Sequence, residues 1–271
     1  MPKPDEAQPK SLTEFVELVE RQQPAIAPGL WYRGCGRSGY GLLPGLYRHR
    51  RYRTLAELAK LERDLLVHFR QRSIPFHSRD LSGDWDALFF MQHYRVPTRL
   101  LDWTENPFIG LYFAVTSAPF EVGRRSRLRF PNDAALWILN PVAWNEHALR
   151  HQSFDGGVLS PGNEALKGYQ PSTGLAAMNN APVALHGVHN SPRIVAQRGV
   201  FTIFGQDTSP MERTFESDNY PPDCLFKVVI RRGRLPDFRR AILRYGITES
   251  VVFPDLDGLA REIRRTFEFE D

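Results

Sequence analysis

Short apolar runs and polar breaks alternate along the chain at spacings that predict helices and strands in mixed order. Leu12, Phe15, Val16 and Val19 recur at helical intervals behind Ser11, with Glu14 three residues on, which predicts a capped helix. Thr54 and Glu57 repeat that signature ahead of Leu55, Leu58, Leu61, Leu65 and Phe69. A helix is expected over residues 86–93, ended by the turn before Pro97. Another is expected over residues 107–115, with Pro107 in the first turn and Phe108, Leu111, Tyr112, Ala114 or Val115 facing inward. Residues 237–245, stopped by Gly246, and residues 256–267 complete the predicted helices. Strand-like runs rich in β-branched and aromatic residues lie at 30–33, 135–139 (ALWIL), 200–204 (VFTIF), 224–230 (CLFKVVI) and 250–253 (SVVF).

Residues 1–10 read as a loose polar tail, and residues 145–181 as a long loop or partly helical insertion. Nothing repeats internally, and no linker divides the chain. The economical reading is α+β: a single domain over residues 11–271, its sheet mixed or mostly antiparallel and flanked by helices.

Composition changes that picture little. The chain has 271 residues, 42% hydrophobic and 24% charged, which suits an ordinary folded domain. A net charge of +4 tolerates an anionic partner such as a nucleotide or nucleic acid without demanding one. Cys35 and Cys224 are too few for a disulfide framework, and no Cys/His spacing suggests zinc, so free thiols and no metal are expected. The first ten residues, MPKPDEAQPK, show neither a signal core nor a transit pattern. No apolar run approaches the roughly 20 residues that span a bilayer. A cytoplasmic protein with no membrane partner is therefore expected.

Candidate chemistry concentrates in three segments. In WYRGCGRSGYGLLPGLYR, Arg33 followed by Gly34 can bring both a guanidinium and backbone to an anion, with Arg37 and Arg48 nearby. The alternative is an arginine that pairs with a buried carboxylate such as Asp102. In QHYRVPTRLLDWTENP, the residues Gln92, His93, Tyr94, Arg99, Asp102, Thr104, Glu105 and Asn106 crowd the start of one helix. A cap needs one of them, Thr104 or Asn106, and the surplus suggests one wall of a ligand cleft facing Arg33. Taken singly, each has a plain structural role, His93 as a core histidine and Asp102 as an arginine's partner. In NSPRIVAQRGVFTIFG, Arg193, Gln197 and Arg198 precede a strand, either as ligand contacts or as solvated arginines of a hairpin. Asp255 and Asp257 are best read as caps of the last helix. The chain has no phosphate-binding P-loop, no GxGxxG after a strand, no HExxH and no GxSxG. It also lacks the dense lysine–aromatic interleaving of a single-strand nucleic-acid platform.

YRG at 32–34, the LLPGLYR that follows, QHYRVPTRLLDWTENPFIGLYFA and the late GIT…FPDLDGLA resemble the FRG domain family, over about residues 30–262. More distantly, the order of motifs is similar to that of ADP-ribosyltransferases of the arginine-serine-glutamate type. Those enzymes place an arginine at the end of a first strand, then a Ser/Thr motif with an FA helix, then a glutamate-bearing segment. The resemblance implies an ADP-ribosyltransferase-like fold with NAD as substrate. Arg33 would hold the pyrophosphate or the nicotinamide ribose, Thr104 would brace the nicotinamide pocket, and His93 and Tyr94 would line it. Tyr32, Gly34, Arg37, Gln92, Arg99, Asn106, Arg193 and Gln197 complete the expected binding set.

The chain departs from that pattern at the third motif. Where a transferase has its glutamate, this chain reads Pro192-Arg193-Ile194-Val195, with Gln197 close by. An arginine there would repel the oxocarbenium charge that a glutamate stabilises. Asp102, Glu105 or Glu249 would have to substitute. The resemblance therefore supports two expectations. One is an NAD-dependent ADP-ribosyltransferase or NAD-cleaving effector of the bacterial toxin or phage-defence type, with a protein or nucleic-acid acceptor and an antitoxin partner. The other is a non-catalytic nucleotide or nucleic-acid binding module on the same fold. A hydrolase or nuclease built on His93 and Asp102 lacks a cluster of metal ligands and ranks below both.

Overall fold

A computed structural model describes residues 3–23, 29–123, 128–188 and 191–269. Asp5–Ala7, expected in a loose tail, instead forms strand β1, which pairs in parallel with a later strand. Helix α1 (Leu12–Gln22) starts where the Ser11 hydroxyl accepts the Glu14 amide at 3.2 Å. Glu14 itself reaches back to the Lys10 amide, so this box is displaced by one residue. After β2 (Trp31–Cys35), helix α2 (Leu55–Ser73) opens with the complete reciprocal box of Thr54 and Glu57. Helix α3 (Asp84–His93) leads into β3 (Leu100–Thr104), and α4 (Pro107–Thr116) follows with Asn106 as its cap. A small hairpin, β4 (Glu121–Val122) and β5 (Leu128–Arg129), precedes β6 (Ala134–Leu139), whose six residues are all buried.

Part of the segment expected as a loop or insertion is ordered by its own core residues. Helix α5 (Pro141–Ala148) and 3-10 turns at Glu164–Tyr169 and Leu175–Ala177 tuck Trp144, Leu166 and Tyr169 inside. Then come β7 (Val183–Leu185), α6 (Pro192–Ala196), β8 (Gly199–Ile203), α7 (Met211–Ser217) and β9 (Leu225–Ile230). The chain continues through α8 (Leu235–Arg244), α9 (Glu249–Val252) and α10 (Leu256–Thr266). SVVF was expected as a strand, and Glu249–Val252 is a short helix instead. Tertiary contacts override the β-branched pattern there: Glu249 pairs with Arg265 at 2.9 Å, and Glu262 accepts the Ser250 amide at 3.0 Å.

The expected α+β arrangement with a mostly antiparallel sheet is found. Seven strands form one sheet in the order β1-β9-β6-β2-β3-β8-β7, antiparallel throughout except for β1 against β9. One face packs Tyr32, Leu136, Ile138 and Val228 against α1, α4 and α8. The opposite face collects Trp31, Trp103, Trp137, Trp144 and Phe215. A third cluster packs Leu88, Phe89 and Met91 of α3 on Leu100, Phe201, Ile203 and Leu185.

The two central strands barely meet. Strands β6 and β9 pair at six positions, whereas β2 meets β3 through Tyr32 opposite Thr104 alone. Strand β2 is instead pressed against α4. A Cβ on Gly34 would lie 2.1 Å from the Gly110 carbonyl oxygen and 2.3 Å from the Ala114 nitrogen. Gly34, expected as a backbone contact for ligand, has its side-chain space claimed by this helix.

Arg99, expected among the ligand contacts, is a core residue. It is 1% exposed beside Glu62 at 2%, and its Nε donates to both Glu62 carboxylate oxygens at 2.9 and 2.8 Å. Its remaining donors serve the carbonyls of Phe204 at 2.9 Å and Tyr169 at 2.8 Å. The pair ties α2 to the start of β3 and to the 160s segment. We expect Glu62→Ala, which strands a buried guanidinium, to cost about 3–5 kcal/mol. Thr54→Ala, which removes only a cap, should cost about 1 kcal/mol. Urea unfolding followed by circular dichroism measures both, and equal costs would contradict the assignment of Arg99 to the core.

Candidate functional site

Beyond the Tyr32–Thr104 pair, β2 and β3 part and a cleft of about 640 Å³ opens between them. Strand β2 contributes Arg33 and the backbone of Gly34, and the turn after it contributes Arg48. The end of α3 and its turn bring Gln92, His93 and Arg95, while β3 brings Asp102 and Thr104. Helix α4 adds Phe113 and Ser117, and the far wall holds Arg193, Gln197 and Phe253. The volume lies within the range of sites for small organic ligands.

Arg33 spans the gap. Its Nη1 donates to the Asp102 main-chain carbonyl at 2.6 Å, while its buried Nε has no partner. It thus contacts the backbone of Asp102 and makes no ion pair with the carboxylate. That carboxylate is exposed in the cleft and accepts from Gln92 Nε2 at 2.7 Å, and Gln92 in turn accepts from Thr98.

Thr104 is buried and donates to the Gln197 carbonyl at 2.6 Å, so it ties β3 to the α6–β8 turn. It also accepts the Asn106 amide at 3.1 Å. Gln197 Nε2 donates to the Val252 carbonyl at 3.0 Å. Both line the cleft, but their polar atoms are engaged in holding its wall together.

Four guanidiniums, those of Arg33, Arg48, Arg95 and Arg193, line this space, and among the described residues none has a carboxylate in ion-pair contact. Arg193 lies 4.6 Å over the Phe253 ring. Burial, with the neighbouring charges of Arg95 and Arg261, lowers its proton affinity from the usual range, against opposing effects of Asp102 and Asp255. His93 is affected similarly: burial first, then Arg193 and Arg79, hold its imidazole below the ordinary histidine value. Its Nδ1 lies 3.3 Å from Ser191 Oγ.

Several residues of the expected set lie elsewhere. Tyr32 does border the cleft, but its ring is buried in the core, where its hydroxyl accepts from Gln23 at 2.7 Å and burial pushes it up to about 12. Arg37 stacks on Tyr40 in a separate depression with Asp133, Arg231 and Arg232. Tyr94 is 59% exposed, edge-on to His93 and Phe90, outside the cleft lining. Asn106 is the cap of α4, accepting the Phe108 amide at 2.9 Å. Glu105 is exposed and also outside the lining, and Glu249 is paired with Arg265. Of the three carboxylates considered as substitutes for the glutamate, Asp102 alone reaches the cleft.

The sequence reading did not single out Arg95, Phe113, Ser117 or Phe253, and it noted Arg48 only as a neighbour of Arg33. Arg95 had a signal of a kind: it follows a helix end and adopts φ 61°, a left-handed turn that turns the chain back toward β3. Nothing local marks Phe253, which arrives from a distant part of the chain. Among the described residues no group of His, Cys, Asp and Glu could hold a metal ion, and both cysteines are buried free thiols. No helix of the described residues is long and apolar enough to cross a membrane.

Residues 28–121 match the FRG domain as a sequence family. The matched span runs through β2, α2, α3, β3 and α4, and so contains Arg33, Arg48, Arg95 and Asp102, while Arg193 and Phe253 lie beyond it. No curated protein and no solved structure matches the chain.

The lowered proton affinity of His93 has a checkable sign. The unfolded chain holds that proton more tightly, so the stability at stake is intact above about pH 6.5 and declines as pH falls below it. Proton NMR of the His93 ring should give a midpoint below that of a free histidine, rising in Arg193→Gln. A midpoint unmoved by that substitution would separate the two side chains.

Proposed function

The chain carries an FRG domain, and on that premise we propose that the cleft between β2 and β3 binds a nucleotide through its phosphates, with NAD as the expected ligand. One observation carries this reading: four arginines without carboxylate partners converge on a cleft of ligand size. Guanidiniums bind phosphate oxygens bidentately, and a half-enclosed site strengthens that attraction by excluding water. Arg33 is central to it, since its guanidinium lines the cleft and is held in place by the bond from Nη1 to the Asp102 carbonyl.

A catalytic reading rests on Asp102. Its carboxylate lines the cleft close to Arg33 and is oriented by Gln92. Bound NAD could then lose nicotinamide from the ribose, with the bonding electrons leaving on nicotinamide and water or an acceptor adding to the sugar carbon. Asp102 would offset the positive charge that develops on the ribose. Arg193 works against that step and in favour of anion binding, so binding is the primary reading and transfer the secondary one. An effector role with an acceptor and an antitoxin applies only to the second.

Calorimetry with NAD, together with a nicotinamide-release assay, tests both readings. We expect wild type to bind NAD and Arg33→Ala to lose roughly tenfold or more in affinity. Asp102→Asn should retain binding and abolish any release of nicotinamide. A folded wild-type protein that binds no nucleotide would remove the proposal, and release that survives Asp102→Asn would remove only the catalytic assignment.

A further inference from the structure

The cleft is more positive than one pyrophosphate requires. Four guanidiniums are set against the single carboxylate of Asp102, which leaves three positive charges facing the ligand space. The pyrophosphate of NAD is offset in part by the dinucleotide's own nicotinamide cation. NAD would therefore leave much of this field unanswered.

The arginines come from separate elements. Arg33 stands on β2, and Arg48 on the segment after it, whose Leu46 amide bonds the Thr98 carbonyl at 3.1 Å. Arg95 follows the end of α3 and Arg193 belongs to α6, and both line the cleft with His93 and Asp102. Arg193 is half-buried, and the Phe253 ring beneath it carries a second guanidinium, that of Arg261, at 4.7 Å. Neither of the two carboxylates nearest in effect to Arg193 forms an ion pair with it. Asp255 accepts the Gly258 amide at 2.7 Å to cap α10, and Asp102 accepts from Gln92. Arg95 and Arg261 are exposed while Arg193 is half-buried, and an anion seated against Arg193 would offset the repulsion among them.

Resting on the nucleotide reading above, we infer that Arg95 and Arg193 form a second phosphate subsite. The ligand is then a nucleotide with a further phosphate group in addition to its pyrophosphate. On NADP that group is a monoester on the ribose, which adds about −1.5 to −2 charges at neutral pH against the surplus. A nucleoside triphosphate carries a third phosphate in anhydride linkage instead, so the two share the added anionic phosphate and differ in where it sits.

Calorimetry at one ionic strength with NAD, NADP, ADP and ATP tests the inference. Wild type should prefer the member with the extra phosphate by roughly tenfold in at least one of the two pairs, and which pair shows it identifies the source. Arg193→Gln should weaken binding of that member more than of its partner and reduce the preference below about threefold, while Arg193→Lys, which keeps the charge, should retain it. Circular dichroism confirms that each variant is folded. Equal affinity within each pair for wild type, or a preference unchanged in Arg193→Gln, overturns the second subsite while leaving nucleotide binding in place. Absence of binding for all four ligands overturns the nucleotide reading itself.

Discussion

The single backbone pairing of Tyr32 with Thr104 sets the geometry on which the cleft depends. Strand β2 is fully laddered to β6 on its other side, and β3 is fully laddered to β8 on its own. Each central strand thus belongs to a separate half of the sheet. Contact between Gly34 and α4 holds one half, and the buried Arg99–Glu62 pair helps hold the other to α2. A strand edge needs hydrogen-bond partners, and where the ladder lapses Arg33 supplies one by donating to the Asp102 carbonyl. The same residue that closes the gap structurally also lines it chemically. Tight packing on β2 and an open cleft beside it are consequences of one arrangement.

Two arginines show how burial and pairing separate structure from function. Arg99 is wholly buried, and its donors are taken up by a carboxylate and two carbonyls, so it presents nothing to a ligand. Arg193 is half-buried over an aromatic ring, and neither Asp102 nor Asp255 forms an ion pair with it. Their neighbourhoods in the sequence look alike: each stands close to polar residues, Arg99 directly before β3 and Arg193 on α6 ahead of β8. What differs is the company that folding brings, Glu62 for one and Arg95 for the other.

That difference explains what could be read from the chain beforehand. Caps are local, so Ser11 and Thr54 are legible from a few residues, as are the helices they begin, and Asn106 is one of two candidates, beside Thr104, for the cap of α4. The dense polar run before α4 holds more than one cap needs, and its members divide among unrelated tasks. Asn106 caps, Thr104 braces a turn, Asp102 lines the cleft and Glu105 faces solvent. Strand β3 itself went unread because Leu100–Thr104 is buried at four of five positions, which gives no alternation to recognise. Phe253, Arg95 and Arg193 reach one cleft from segments far apart in the chain, and no local pattern carries that information.

The departure from the transferase pattern then has one physical meaning instead of two. By that resemblance, Arg193 stands in the segment where a glutamate would face the ribose. A carboxylate there stabilises a cation forming on the sugar, whereas a guanidinium destabilises it and attracts phosphate. On the proposed reading, the missing favourable charge and the added anion site are one feature seen from the two ends of the ligand. Asp102 lies on the opposite strand, beside Arg33, and its own field is opposed by the surrounding arginines. On the proposed reading, this cleft retains its ligand more readily than it breaks it, and any bond cleavage must use the one carboxylate that the arginines leave exposed.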